Sequence, residues 1–415
     1  MTPELKGYLL LSVVKVLVVF LVTLVGVAYM TLMERWVSAW MQDRIGPNRV
    51  GPRGLLQPIA DGLKNLIKEE TMPPGANRVL FLLAPALSFI PALMMSGVIP
   101  WAAPLPIRFD FTLPVLGRFV HDGLVPVQVA DLPIGFLWVL AIGSIGVYGI
   151  ALAGWSSNNK YSLLGGLRAS AQMVSYEVAL GMSLIPVLLL AGNVSFATIV
   201  ASQQQGLWFV LPLFLAFFVF LISGFAETNR APFDLPEAES ELVAGYHTEY
   251  SSFKFSMFFI AEYANILTFC AMTMTLFFGG WDIPFTGWDQ TPGLLQTVAT
   301  GIAMFLKVAF GIFVVMWVRW TLPRFRYDQL MAAGWKFLLP VALGYVMAIT
   351  LAIFAVERLL PGVGTRVHQL ILFVVNVGLG YLVFMVADRG FIISGASRHA
   401  ADRSLEGAAR ARVAS

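Results

Sequence analysis

The sequence predicts an all-α, polytopic membrane protein. Apolar residues make up 58% of the 415-residue chain and charged residues only 12%, whereas soluble domains have about 45–50% and about 25%. Uncharged runs recur along almost the whole length, and each is near the ~20 residues that a helix needs to cross a bilayer. We expect about nine transmembrane helices in a single domain, residues 1–390, followed by a basic, flexible tail, residues 391–415.

The nine apolar runs are the predicted spans. They cover residues 8–32, 79–99, 132–154, 172–191, 207–226, 253–278, 298–318, 337–356 and 369–387. The first run is much longer than the apolar core of a signal peptide and has no small-residue cleavage site, so we interpret it as a span.

Lysine and arginine are distributed unevenly between the two sets of loops. Lys15 and Lys307 lie within spans, and most of the other basic residues lie after spans 1, 3, 5, 7 and 9. The opposite side holds five, namely Lys6, Arg108, Arg118, Arg358 and Arg366. The positive-inside rule therefore predicts an external N-terminus and a cytoplasmic C-terminus. The basic tail is solvated, which we favour, or rests on anionic lipid.

The chain offers few ligands for a redox centre. Its one cysteine, Cys270, lies in an apolar run, whereas an iron–sulfur cluster needs about four thiolates. Four scattered histidines show no metal-ligand spacing; they are His121, His247, His368 and His399. We find no dinucleotide or phosphate-loop fingerprint. We therefore expect no redox centre in this chain, and the small net charge of +3 gives no reason to expect nucleic-acid binding.

The loop after span 1, residues 33–70, combines turns, charge and a helical repeat. Its predicted structural turn residues are Gly46, Pro47, Gly51 and Pro52. Apolar residues then recur at three- and four-residue spacing from Leu55 to Ile67, with Asp61 on the other side. This pattern predicts a cytoplasmic amphipathic helix lying in the membrane interface.

Charged residues also stand where span 1 ends. Glu34 and Arg35 come first, and Arg44 follows. They are either simple interfacial anchors or part of a floor that holds a partner over an opening in the membrane.

The loop after span 5, residues 224–255, is unusually acidic for the cytoplasmic side. Asp234 and Glu237 are typical of a helix start, and Pro236 is tolerated in a first turn. Glu237 and Glu241, four residues apart, would repel each other, which raises the pKa of at least one. Apolar neighbours favour a loop that folds back into the protein. We favour a buried proton relay over a solvated loop.

Three ionisable residues lie within spans, where a charge costs several kcal/mol and is expected to be functional or paired. Glu177 and Glu262 extend the acidic loop inward as proton sites, or pair with basic residues and only fix helix packing. Lys307 is the third, and the sequence assigns it no role.

Three segments carry a resemblance to a known family: residues 33–70, the loop SNNKYSLLGGLRASAQMVSYEVALG and the acidic loop that begins GFAETNRAPFDLPEAESELV. Together they resemble the quinone-site membrane protein of respiratory complex I known as its H subunit, in order, over about residues 10–390. That family often has eight spans, so the ninth, starting at Leu370, is a variable feature.

The resemblance implies roles for individual residues. It implies a quinone tunnel lined by Glu34, Arg35, Trp36, Arg44, Asp61, Phe225, Glu227 and Arg230. It implies proton-coupling acids at Glu177, Glu227, Asp234, Glu237, Glu239, Glu241, Glu249 and Glu262. Arg168 falls in a loop motif of the family.

The resemblance also implies a setting. The chain would be a membrane component of proton-pumping NADH:quinone oxidoreductase that couples quinone reduction to proton translocation without holding a cofactor. Its substrate would be ubiquinone or menaquinone, with iron–sulfur clusters and FMN in partner subunits. Its partners would be the peripheral quinone-site iron–sulfur subunits and antiporter-like membrane subunits, in the inner or plasma membrane.

Two other functions fit the same residues. A membrane anchor of a membrane-bound hydrogenase would share the loops but bind no quinone. A stand-alone secondary transporter would use the glutamates within spans as coupling sites. Purification at native stoichiometry separates the transporter, which would bring no iron–sulfur partners.

Overall fold

The structure is a computed structural model that describes residues 2–113, 117–235, 239–284, 286–362 and 364–386. Within these ranges the chain is almost entirely helical. The helices are α1 Pro3–Met41, α2 Gln57–Ile67, α3 Arg78–Met95, α4 Gly135–Ser156, α5 Lys160–Ala191, α6 Phe196–Gln205, α7 Phe214–Glu227, α8 Glu239–Leu242, α9 Ser252–Phe277, α10 Leu294–Thr321, α11 Tyr327–Ala332, α12 Leu339–Leu359 and α13 Thr365–Val386. A π-helical segment, Ala333–Leu338, joins α11 to α12.

The all-α membrane fold is confirmed, and an apolar helix corresponds to each of the nine predicted spans. In the described part of the chain, eight helices are long and apolar enough to cross a membrane. The ninth, α7, has only 14 residues. It is shorter than the predicted span 207–226 because residues 207–213 form turns, in which the side chain of Gln203 accepts a hydrogen bond from the Phe209 backbone at 3.1 Å.

The centre of the bundle is α9, which packs mainly against α3, α10 and α1. Of the eight long helices α9 is the most buried and α1 the least. Small residues allow the close approaches: a Cβ at Gly154 would lie 2.7 Å from the carbonyl oxygen of Ser162, and one at Gly149 only 2.2 Å from the Ser88 hydroxyl. Such contacts are usual where helices pack within lipid, because small residues let the backbones come together.

The expected amphipathic helix is α2, which begins at Gln57. Its apolar residues Leu63 and Leu66 are 56% and 64% exposed, while its polar side carries Asp61 towards α1. The helix thus leaves an apolar surface uncovered, as an interfacial helix requires.

A β-hairpin lies between α3 and α4, where the sequence predicts no span. Strands β1 (Leu105–Leu113) and β2 (Gly117–Val125) pair antiparallel, and Phe109 and Phe111 lie on β1 at alternate positions. Strand β2 rests on the start of α1, where a Cβ at Gly7 would lie 2.2 Å from the Val120 carbonyl oxygen. The alternating pattern could have predicted this strand, since period-two hydrophobicity is the mark of a half-buried strand.

Candidate functional site

A charged cluster lies where α1, α9, α10 and the segment that follows α7 meet; we call it the arginine–glutamate cluster. Arg230 Nε lies 2.8 Å from Glu262 Oε1, and Arg230 Nη1 lies 3.8 Å from Glu34 Oε1. Glu34 also pairs with Arg319 and accepts a hydrogen bond from the Tyr263 hydroxyl. The Arg230 guanidinium lies 4.4 Å from the centre of the Tyr263 ring. Four elements distant in sequence therefore meet through five side chains.

The arginine–glutamate cluster is charge-balanced and buried. Glu34 is 8% exposed and Arg230 is 6% exposed. Buried charges persist only when they are paired and hydrogen-bonded, because desolvation otherwise costs too much. Burial acts to lower the pKa of Arg230, but Glu262, Tyr263 and Glu34 outweigh burial, and the pKa is raised overall. Arg230 therefore stays charged and fixes the two carboxylates.

A cavity of about 400 Å³ lies between α1, α2 and α9, beside the arginine–glutamate cluster. Its wall is mostly apolar and includes Arg35 and Asp61, which form a salt bridge of 2.6 Å between Nη1 and Oδ2. Phe259 also lines it, and its ring centre lies 4.7 Å from that of Tyr263. The volume falls within the range of small-molecule sites, roughly 300–1,000 Å³. The contact between Phe259 and Tyr263 therefore links the wall of this cavity to the arginine–glutamate cluster.

Further carboxyl groups, those of Glu227 and Glu177, lie on the inner side of the arginine–glutamate cluster. Glu227 lines two small cavities of about 30 and 50 Å³. Glu262 lines the first, and Gly143 lines the second. Next to Gly143, Ser144 donates a hydrogen bond to Glu177. Because a water needs a cavity of only about 10–15 Å³, there is room for water between Glu262 and Glu227.

Arginines from distant segments hold the acidic loop. Arg324 Nη2 lies 2.9 Å from Asp234 Oδ2, and Arg168 Nη1 lies 2.7 Å from Glu241 Oε2. Burial raises the pKa of Asp234 although Arg324 opposes it. Glu249 accepts a hydrogen bond of 2.6 Å from the Asn159 side chain. The loop is thus fastened by partners that are remote in sequence.

The expected repulsion between two of the loop glutamates stays a prediction, because Glu237 lies outside the described residues. The side chain of Glu239 does too, although its backbone belongs to α8. Phe233, Leu235 and Leu242 are buried, which confirms that the loop folds back into the protein, whereas Val243 is 58% exposed.

The other residues of the implied tunnel lie elsewhere. The Trp36 indole nitrogen donates to the Pro47 carbonyl at 3.2 Å, and a Cβ at Gly46 would lie 2.8 Å from the Trp36 ring. Arg44 is exposed. Phe225 is packed in the core rather than against the 400 Å³ cavity.

The turn residues form a tight loop before α2. Gly51 and Gly54 have φ angles of 71° and 82°, which favour glycine, and Pro52 begins a single 3₁₀ turn. A Cβ at Gly54 would lie 2.1 Å from the Pro47 carbonyl oxygen. The turn places α2, and with it Asp61, against α1.

Several residues of the site were not found from the sequence. They are Tyr263, Arg319, Arg324, Gln172 and Ser144. Gln172 Nε2 donates to the carbonyls of Ala226 and Phe233 at 2.8 and 2.9 Å, which fastens the start of the acidic loop. Only Arg319 left a signal: it stands just past a span, where an arginine needs an acidic partner.

In the described residues, no three His, Cys, Asp or Glu side chains come together as a metal site would require. Cys270 is a buried free thiol in α9. The side chains that meet in the arginine–glutamate cluster carry carboxyl, phenol and guanidinium groups, which bind polar ligands and exchange protons.

Comparison with known proteins identifies the family. A sequence model of the family described as NADH dehydrogenase matches residues 14–350. The second NADH-quinone oxidoreductase H subunit of Koribacter versatilis (strain Ellin345) is 53% identical over 349 residues, 83% of this chain and 97% of that protein. The chain belongs to the family of NADH-quinone oxidoreductase H subunits.

Two further relatives agree with this family. The first NADH-quinone oxidoreductase H subunit of Geobacter sulfurreducens is 52% identical over 81% of this chain and 93% of its own length. NADH-ubiquinone oxidoreductase chain 1 of Chondrus crispus is 50% identical over 83% of this chain and 97% of its own length. The resemblance noted in three loops of this member of the H-subunit family thus extends over most of the chain.

Proposed function

We propose that the chain is the membrane component of a proton-pumping NADH:quinone oxidoreductase that forms part of the quinone site and couples quinone reduction to proton translocation. The names of its relatives support the enzyme, since they are parts of NADH-quinone and NADH-ubiquinone oxidoreductases. The observation that carries the coupling role is the position of the arginine–glutamate cluster, between a cavity of ligand size and a row of partly buried carboxyl groups.

The cavity is the proposed approach of the quinone. Its walls are largely apolar, which suits an isoprenoid substrate, and its polar pair is Arg35 and Asp61. Reduction of a quinone to a quinol takes two electrons and two protons. Partner subunits with iron–sulfur clusters and FMN supply the electrons, and this chain shapes the cavity and supplies charge.

The arginine–glutamate cluster is the proposed sensor of that reaction. A change of charge in the cavity acts on Glu34, which shares Arg230 with Glu262. Glu262 and Glu227 line the same small cavity, and Glu177 lies close enough to Glu227 to act on it electrostatically. Because these groups lie in a low-dielectric interior, a proton added at one alters the charge that its neighbours favour.

The acidic loop is the proposed moving part. Asp234 and Glu241 are fastened by Arg324 and Arg168, so protonation of either carboxyl weakens one attachment. The remaining acids of the loop, Glu237, Glu239 and Glu249, belong to the same proposal. The change then passes to antiporter-like membrane subunits.

The proposed location is the inner or plasma membrane, with an external N-terminus and a cytoplasmic C-terminus. The uneven distribution of lysine and arginine supports this orientation. Peripheral quinone-site subunits would then cover the cytoplasmic loops that hold the arginine–glutamate cluster.

Neutral variants of the inner carboxyls test the proposal. We expect Glu227→Gln and Glu262→Gln to lower NADH:quinone reductase activity and proton pumping together, by roughly tenfold or more, because each removes a proton-transfer group. Both rates are measured in membrane vesicles, the second with a pH-sensitive dye. The matched control is Glu357→Gln, an exposed glutamate on α12.

Three results would contradict the proposal. Wild-type pumping in both variants would remove the carboxyl row from the mechanism. Co-purification with hydrogenase partners and no quinone reduction would instead identify an anchor of a membrane-bound hydrogenase, and purification without partners would favour a transporter.

A further inference from the structure

Two buried aspartates lie in the loop between α9 and α10, far from the arginine–glutamate cluster. Asp282 is 6% exposed and Asp289 is 3% exposed. On α9, 15 residues separate Glu262 from Phe277, so the loop begins about 22 Å further along the helix axis at 1.5 Å per residue. No role in the proposed function involves these two residues.

Lys307 of α10 reaches this loop but uses its hydrogens elsewhere. Its Nζ lies 2.8 Å from the Phe278 carbonyl oxygen, 2.9 Å from that of Gly280 and 2.7 Å from that of Asp282. A lysine ammonium has three N–H donors, so all three are taken by backbone carbonyls. Lys307 therefore acts on the carboxyl groups through its charge alone.

The carboxyl groups receive hydrogen bonds from neutral donors. The Trp208 indole nitrogen donates to Asp282 Oδ2 at 2.7 Å. The Gln204 side chain and the Ile283 backbone donate to Asp289 Oδ2 at 3.3 and 3.2 Å. Asp289 Oδ1 is buried and has no hydrogen-bond partner among the described residues.

We propose that Asp282 and Asp289 form a proton-binding pair in which the two carboxyl groups share one proton at neutral pH. Two ionised carboxylates beside one ammonium would leave an uncompensated negative charge in a buried site, which is costly. One proton taken from solvent makes the group Asp282, Asp289 and Lys307 neutral. The side chains of Asp282 and Asp289 lie within hydrogen-bonding reach of each other, so the proton also allows a hydrogen bond between the two carboxyl groups.

The electrostatics of the loop agree with this geometry. The pKa of Asp282 is raised, first by burial and also by the neighbouring Asp289 carboxyl; the Trp208 hydrogen bond and Lys307 oppose the increase. The charged groups that act on Asp282 are Asp289 and Lys307. Two interacting carboxyl groups release their protons in two steps that belong to the pair, so the second proton leaves at a higher pH.

Infrared difference spectroscopy of the assembled, lipid-reconstituted complex tests the pair. We expect the spectra of wild type minus Asp282→Asn and wild type minus Asp289→Asn to show the same protonated-carboxyl C=O band at pH 7. The band should shift in D₂O and lose amplitude as the pH rises. Both variants remove the same band because both remove the same proton.

The control is Asp110→Asn, an exposed aspartate on β1 whose pKa is lowered by the Arg118 hydrogen bond. Its difference spectrum should show carboxylate bands and no protonated-carboxyl C=O band. Carboxylate bands alone for Asp282→Asn and Asp289→Asn would overturn the proposal. Asp289→Glu keeps both carboxyl groups and serves if the Asn variants do not assemble: a displaced C=O band supports the shared proton, and no band overturns it.

Discussion

Replacing Arg230 with methionine tests whether the arginine–glutamate cluster depends on paired charge. The side chain of Arg230 is 7% exposed, and its partner Glu262 is 14% exposed, 2.8 Å away. Glu34 is the second partner, at 3.8 Å. Arg230→Met keeps most of the apolar volume but leaves Glu262 without the guanidinium that it contacts.

The magnitude follows from burial. Breaking a buried ion pair by removing one partner costs about 3–5 kcal/mol, because the remaining charge stays desolvated. Glu34 keeps Arg319 as a partner, so the cost falls mainly on Glu262 and we expect the lower part of that range. Since 1.4 kcal/mol is tenfold in an equilibrium constant, about 3 kcal/mol raises the population of opened molecules by roughly 100-fold.

Cys270 provides the assay, because it is buried in α9 about two turns from Glu262. A maleimide reacts with this thiol only when the helix opens. Mass spectrometry of the peptide that contains Cys270 follows the labelling rate in the intact complex. We expect Arg230→Met to raise this rate by about two orders of magnitude if opening is fast compared with labelling.

A double variant separates the ion pair from general damage to packing. Arg230→Met combined with Glu262→Gln removes both charges of this contact, so it should be labelled more slowly than Arg230→Met alone. This is the non-additivity expected of residues in direct contact. Additive effects of the two substitutions, or a labelling rate in Arg230→Met equal to that of wild type, would refute the reasoning.

Two further predictions concern pH and packing. Burial lowers the pKa of His247 below its usual 6.5, so the unfolded chain binds a proton more readily and stability is lost as pH falls through 6.5. In thermal unfolding experiments, the His247→Gln variant should therefore lose less stability than wild type between pH 7 and 5. Equal losses of stability in the two proteins would contradict this. Gly7→Ala places a methyl group against the Val120 carbonyl and should displace the hairpin, at a cost of about 1–3 kcal/mol. Trypsin cleavage after Arg118 should then increase, whereas Gly26→Ala on the same helix, where a Cβ would meet only Leu267 at an ordinary 3.8 Å, is the control.

The spans were predictable because a bilayer imposes one requirement on every residue that crosses it. Backbone groups must bond within the segment and side chains must be apolar, so hydrophobicity alone marks α3, α9 and α10. The length of α7 was not predictable in this way. Its preceding turns are fixed by Gln203 of the adjacent helix α6, which accepts from the Phe209 backbone, and by Gln369 of the distant helix α13, which accepts from the Leu207 backbone.

The pairing of charges was not predictable either. The sequence indicates that a charged Glu262 within a span is energetically unfavourable without a partner. Its partner Arg230 lies on a different segment, and the sequence gives no reason to choose it over the other arginines. Tyr263 completes the contact by a hydrogen bond to Glu34, 229 positions away in sequence. Sequence rules of local spacing do not apply at such separations, whereas they placed the turns before α2 correctly.

Tryptophans at the ends of spans show the same limit. Trp208 and Trp281 stand at the ends of predicted spans, where tryptophan is commonly an anchor at the membrane interface. Trp281 is instead 7% exposed, and Trp208 bonds Asp282 while its ring lies 4.3 Å from Lys307 Nζ. A tryptophan at the end of a span can therefore indicate a buried polar group as well as a membrane interface, because its indole N–H needs a hydrogen-bond partner when it is buried.

The arginine–glutamate cluster and the aspartate pair differ in their balance of acidic and basic side chains. In the arginine–glutamate cluster, two glutamates face two arginines, and Arg319 pairs directly with Glu34. Elsewhere on α10, Lys307 lies near two aspartates but donates its three hydrogen bonds to backbone carbonyl oxygens. The first site is neutral with every group ionised, so a proton arriving there disturbs a balanced set of pairs. The second site is neutral only when a proton is bound. The same helix, α10, carries one cation of each site, Arg319 in the first and Lys307 in the second.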